Sequence, residues 1–115
     1  MFWFAWKTMG IVVERIRVFE NYLDYAKKIK KLLEKNLSSF ELFIFGSVVK
    51  GNFSVGLSDI DIAVVSDEFK DRNKKLEIYD LLFSEFFSYP FEFHLLTKDK
   101  WDFYKRFVKE DLVKI

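Results

Sequence analysis

The chain has 115 residues, half of them hydrophobic, which is enough to bury one core and too few for two, so a single domain over residues 1–115 must carry the function. Its 19 basic and 18 acidic residues nearly cancel, which excludes a global field for indiscriminate nucleic-acid binding and favours a localised site. With no cysteine and one histidine, disulfides, thiolate nucleophiles, thiolate-bound zinc and histidine-rich metal sites are all excluded, so any metal is expected on oxygen ligands.

The chain opens with the aromatic run Phe2, Trp3, Phe4 and Trp6. It is far short of the roughly 20 apolar residues that span a bilayer and carries no basic leader, so a cytoplasmic protein with no membrane partner is expected. An apolar cluster of this kind is seldom left in water, and it reads either as packing at a homodimer or partner interface or as an extension upstream of a start at Met9. Phe19, Tyr22, Leu23, Ala26, Ile29, Leu32 and Leu33 then recur at three- and four-residue spacing and predict an amphipathic helix over about Arg17 to Asn36. Its acids, Glu20 and Asp24, come early and its lysines late, as the helix dipole favours. Lys27, Lys28, Lys30 and Lys31 read as a solvated face, with a nucleic-acid patch as the alternative.

A first strand is predicted at Glu41 to Phe45, then a short helix opening at Ser47, a loop through Asn52 to Ser58, and a second strand at Asp59 to Val65. A second long helix runs from about Asp71 to Ser88. It is expected to bury Leu76, Tyr79, Phe83 and Phe86, with Ile78, Leu82 and Phe87 widening that face. Pro90 stops it and opens a third strand, Phe91 to Leu96, and a last helix from about Lys98 to Val108 returns Trp101, Phe103, Tyr104 and Phe107 to the fold. The order α-β-α-β-α-β-α implies an α/β (α+β) domain, a small sheet covered by helices.

The chemistry concentrates between Gly46 and Asp61. Alternation in the second strand puts Asp59 and Asp61 on one face, roughly 7 Å apart at the backbone, with Ile60, Ile62 and Val64 on the other. Two carboxylates so placed can converge on two hard cations, magnesium or manganese, about 3.5 to 4 Å apart, the arrangement used for in-line displacement at phosphorus. An isolated Asp-x-Asp is as often a pair of surface acids. Here Gly46 lets backbone approach a phosphate, Ser47 offers a hydroxyl and an amide at a helix start, and Lys50 follows about one turn later. A P-loop is excluded because Asn52 and Phe53 stand where lysine and serine or threonine must follow, and a calcium loop because Ile62, Ala63 and Val64 follow Asp61. In the third strand Glu92 and His94 share one face. Glu92 is expected beside the aspartates, as general base or metal holder, and His94 reads as a hydrogen-bonded strand histidine before a catalyst.

Gly46-Ser47, Gly51 and Ser58-Asp59-Ile60-Asp61, followed by a strand bearing Glu92, resemble the DNA polymerase β-like nucleotidyltransferase superfamily, and within it the minimal nucleotidyltransferases of prokaryotes. The resemblance covers about Phe40 to Thr97. It implies a polymerase β palm-like fold, with Gly46, Ser47, Lys50 and Ser58 on the nucleotide, and Asp59, Asp61 and Glu92 as the catalytic carboxylates holding two magnesium ions, or manganese. Where the family often has arginine this chain has Lys50, which lacks the planar fork for bidentate phosphate contact. The activity implied is transfer of a nucleoside monophosphate, AMP from ATP, to a hydroxyl of a protein or small molecule. Relatives of this kind are paired with helical HEPN proteins in toxin-antitoxin modules, so a HEPN-like partner is implied too, and a non-catalytic antitoxin or partner-binding module is the alternative. A structural or nucleic-acid interaction protein is a third reading, with only the lysine face to support it.

Overall fold

The computed structural model describes residues 16–51, 59–108 and 111–115. The aromatic opening and the loop with Ser58 lie outside the described residues, as do the side chains of Ser47 and Lys50. In chain order the elements are α1 (Tyr22–Glu34), β1 (Glu41–Phe45), α2 (Ser47–Lys50), β2 (Ile60–Val65), a 3₁₀ turn (Asp67–Lys70), α3 (Arg72–Phe86), β3 (Phe91–Leu96), α4 (Lys98–Val108) and β4 (Leu112–Lys114). Residues 16–20 are helical as well. Asn21 interrupts what the periodicity predicts as one helix. Its φ of -119° and ψ of 30° leave the helical region, and its side-chain amide donates to the Arg17 carbonyl.

The strands form one mixed sheet in the order β3-β2-β1-β4. β1 runs antiparallel to β2 and to β4, whereas β2 and β3 are parallel, joined by a crossover through α3. Side-chain alternation divides the sheet into two faces. Leu42, Ile44, Ile60, Ile62, Val64 and Leu95 point to the main core, closed by Ala26, Ile29 and Leu33 of α1 and by Ile78 and Leu82 of α3. Phe43, Phe45, Ala63 and Val65 point the other way and are covered by Trp101 of α4, which stacks on Phe43 at a centroid distance of 4.8 Å.

The 3₁₀ turn locks the far end of β2. Ser66, buried at that end, donates from its hydroxyl to the Ser39 carbonyl and accepts from the Glu68 amide, while the Glu68 carboxylate accepts from the amides of Ser38 and Ser39. Those contacts satisfy buried polar groups and hold the loop before β1 against the end of β2.

Three further expectations are corrected. β4 was not foreseen; three residues are too few for alternation to be legible, yet they pair with Phe43 to Phe45. On α3 the buried positions are Ile78 and Leu82, with Phe86 half-buried, while Leu76, Tyr79, Phe83 and, at the helix's C-cap, Phe87 are exposed, Phe83 to 70% and Phe87 to 71%. α3 lies over the edge strand and the 3₁₀ turn, so only a narrow stripe meets the sheet. On α4 Trp101 alone is buried, whereas Phe103 and Phe107 stand exposed against each other.

Leu82→Ala is therefore expected to lower the unfolding free energy by about 2 to 5 kcal/mol, and Phe83→Ala to change it by less than about 1 kcal/mol. Urea denaturation of the two variants checks this, and equal losses would contradict the assigned buried face.

Candidate active site

The site forms where β1 ends and β2 and β3 begin, on the sheet face carrying Trp101. β1 delivers the chain to Gly46, which takes φ +90°, and the Gly46 carbonyl accepts from the Val49 amide as α2 starts. The left-handed turn is one reason for glycine; the neighbouring strand supplies another. A Cβ on Gly46 would lie 2.6 Å from Oδ2 of Asp61, so the bare backbone is what makes room for that carboxylate. Gly51 also has a positive φ, +75°, and closes α2, but nothing lies within 4 Å of a Cβ placed there.

Asp61 is the second residue of β2, paired with Phe45 on one side and with Glu92 on the other. The parallel register sets Asp61 opposite Glu92 and Ala63 opposite His94. Because all four side chains leave the sheet on one face, Glu92 and His94 both flank the aspartate. His94 Nε2 lies 3.1 Å from Asp61 Oδ1, both side chains being about three-quarters buried. The His94 ring is held in turn by Phe45 and Tyr104, with centroids at 5.3 and 5.9 Å. Asp61 thus has one oxygen against the Gly46 backbone and the other against an imidazole.

Asp61, Glu92 and His94 can each offer one ligand atom within 4.8 Å of the others, and they are the group of this kind among the described residues. Two carboxylates and an imidazole suit a divalent cation. Asp59 is exposed, one residue ahead of β2, and lies outside that group. Glu92 is exposed on the edge strand, open to an incoming molecule. Gly46 and the backbone start of α2 at Ser47 lie beside Asp61; Ser58 and the side chains of Ser47 and Lys50 fall outside the described residues. The sequence signal did not indicate the contact between His94 and Asp61, since a lone strand histidine has no partner until the register of β2 on β3 is known.

Residues 26–115 match the nucleotidyltransferase domain. The chain belongs to that family. It is similar to a candidate nucleotidyltransferase of known crystal structure, 46% identical over 79% of this chain and 97% of that one, with a TM-score of 0.70. A candidate nucleotidyltransferase from Sulfolobus solfataricus is 25% identical over 90% of this chain and 85% of that one, with a TM-score of 0.58. No curated protein matches the chain. The matched span of this nucleotidyltransferase contains Gly46, Asp61, Glu92 and His94 together, and among the described residues no helix is long and apolar enough to cross a membrane.

In Gly46→Ala the added methyl group is expected to push the Asp61 carboxylate off His94, because the end of a side chain yields before the backbone does. In Gly51→Ala only the left-handed strain, about 1 to 2 kcal/mol, is added. His94 is the sole histidine, so its imidazole nitrogen signals in NMR are unambiguous. They should move in Gly46→Ala and stay in Gly51→Ala; the same spectrum in all three proteins would contradict the close approach.

Proposed function

We propose that this nucleotidyltransferase transfers a nucleoside monophosphate, AMP from ATP, to a hydroxyl of a protein or small-molecule acceptor and releases pyrophosphate. The observation that carries the reading is the placement of Glu92 beside Asp61 across the parallel β2–β3 pair, with Gly46 against the same aspartate. Asp61 and Glu92, joined by the exposed Asp59, hold the divalent cations. Magnesium is the ion expected for oxygen ligands, with manganese as the alternative. Two such ions, held by these residues, would supply positive charge beside both the attacking and the leaving oxygen.

The chain's own residues supply the rest. The Gly46 turn and the amide of Ser47 receive the donor's phosphates, helped by Lys50 and Ser58. Fixing the phosphates beside a charged cluster aligns the acceptor oxygen, the α-phosphorus and the bridging oxygen to the β-phosphate, which removes much of the entropic part of the barrier. The new bond joins the acceptor oxygen to the α-phosphorus, and the bond that breaks is the one to that bridging oxygen. Glu92, exposed at the sheet edge, takes the acceptor's proton in this reading.

A second reading keeps the fold and dispenses with turnover: the chain masks a HEPN-like helical partner in a toxin-antitoxin pair. The exposed Phe83 on α3 and Phe87 at its C-cap, and Phe103 and Phe107 on α4, favour a protein partner or a homodimer for either reading.

Incubating the protein with ATP labelled at the α-phosphorus and an extract of its native cells tests the catalytic reading. Label should reach an acceptor with the wild type. With Asp61→Asn it should fall by more than the 10- to 100-fold or so that loss of an outer partner costs a metal site, the far-UV spectrum being unchanged. Transfer at the wild-type rate by Asp61→Asn would sink the reading.

A further inference from the structure

We infer that His94 is itself a ligand of the cation held by Asp61 and Glu92, and that its nitrogen makes the site prefer Mn²⁺ to Mg²⁺. The inference rests on the reading of those two carboxylates as cation ligands and adds to it a donor that composition alone argued against, since one histidine in 115 residues suggested oxygen ligands throughout.

The geometry supplies three reasons. First, the separation is right: neighbouring donors in an octahedron with bonds of about 2.1 Å lie about 3 Å apart, and His94 Nε2 stands 3.1 Å from Asp61 Oδ1. The same two atoms that now share a hydrogen bond can occupy adjacent coordination positions with little movement. Second, the third donor is at hand, because a Glu92 oxygen lies within 4.8 Å of a ligand atom on each of the other two side chains, and drawing it in completes one triangular face. The exposure of Glu92 leaves its side chain free to make that closure. Third, the ring is pre-set: Phe45 and Tyr104 hold it from β1 and α4, and the ring's own strand is in register with β2. A pre-set donor binds an ion with less ordering cost than a mobile surface histidine.

Chemistry then decides the ion. Imidazole nitrogen suits first-row transition cations, Mn²⁺ the least strongly of them, whereas Mg²⁺ holds to oxygen and to its waters, so of these two ions the nitrogen favours Mn²⁺. The ring would coordinate through Nε2, the nitrogen that faces Asp61. The Nε2 lone pair makes the bond to the ion, so a proton on Nε2 is displaced to solvent as the ion binds. Two carboxylates and one nitrogen leave the remaining positions for water and the donor's phosphate oxygens.

The test uses the full chain prepared without a polyhistidine tag, with Mn²⁺ alone as the probe. Because the chain has a single histidine, any imidazole nitrogen coupled to the bound ion belongs to His94. Electron spin-echo envelope modulation of the Mn²⁺-loaded wild type should show that coupling. It should be absent in His94→Gln and His94→Ala. Mn²⁺ affinity should exceed Mg²⁺ affinity by about tenfold or more in the wild type and fall about tenfold in either variant, while Mg²⁺ affinity changes by less than about threefold. Mn²⁺ that binds the wild type tightly without nitrogen coupling would overturn the role of His94 and leave Asp61 and Glu92 as cation ligands. If neither ion binds the wild type, both readings are overturned together. The wild-type spectrum decides the matter even if a variant does not fold.

Discussion

The parallel pairing of β2 with β3 is the constraint on which the rest of the site depends. It places Asp61 opposite Glu92 and Ala63 opposite His94, so one register delivers two carboxylates and an imidazole to one point. A slip of one residue would turn Glu92 and His94 to the other face, into the space of the main core, and bring Phe91 and Phe93 out beside Asp61. The burial of Leu95 beside Ile62 and Val64 in the main core opposes that slip, because Leu95 would have to exchange with a neighbour on the opposite face. Core packing on one side of the sheet therefore fixes charge placement on the other.

The two sheet faces divide the work. The main core takes the aliphatic residues of three strands and both long helices, and supplies most of the burial that stabilises the fold. The opposite face is closed only in part. Trp101 covers Phe43 and Phe45 at one end, and beyond them the surface opens at Asp61 and Glu92. The left-handed turn at Gly46 belongs to this open end. A side chain there would occupy the volume now filled by Asp61 Oδ2, so a feature that reads first as a turn residue is also a packing requirement between β1 and β2.

Much of this was legible because the local signals were strong. Glu41–Phe45, Phe91–Leu96 and Lys98–Val108 are where run length, the Pro90 break and helical spacing place them. Gly46 and Asp61 stood out as a turn and an acid at strand ends, and their contact follows from the antiparallel pairing of Phe45 with Asp61. What could not be read depends on long-range arrangement. Leu112–Lys114 becomes a strand only because β1 offers it a free edge, a condition no three-residue window reports. The helix faces misled because α3 carries apolar residues on most of its circumference. Periodicity identified the helix but not which stripe, Ile78 and Leu82 or Tyr79 and Phe83, would meet the small sheet. His94 was unreadable as a partner of Asp61 for the same reason: residues 33 positions apart meet through register, and register is a property of the assembled sheet.

The central claim is that Gly46, Asp59, Asp61 and Glu92 build a donor site that binds nucleotide through divalent cations. Calorimetric titration of ATP into the protein, with and without Mg²⁺, for the wild type and for the double variant Asp59→Asn/Asp61→Asn, tests it without knowledge of the acceptor. The account predicts binding that requires Mg²⁺ in the wild type and is lost in the double variant. Equal binding by the two proteins, or none by the wild type, would contradict it.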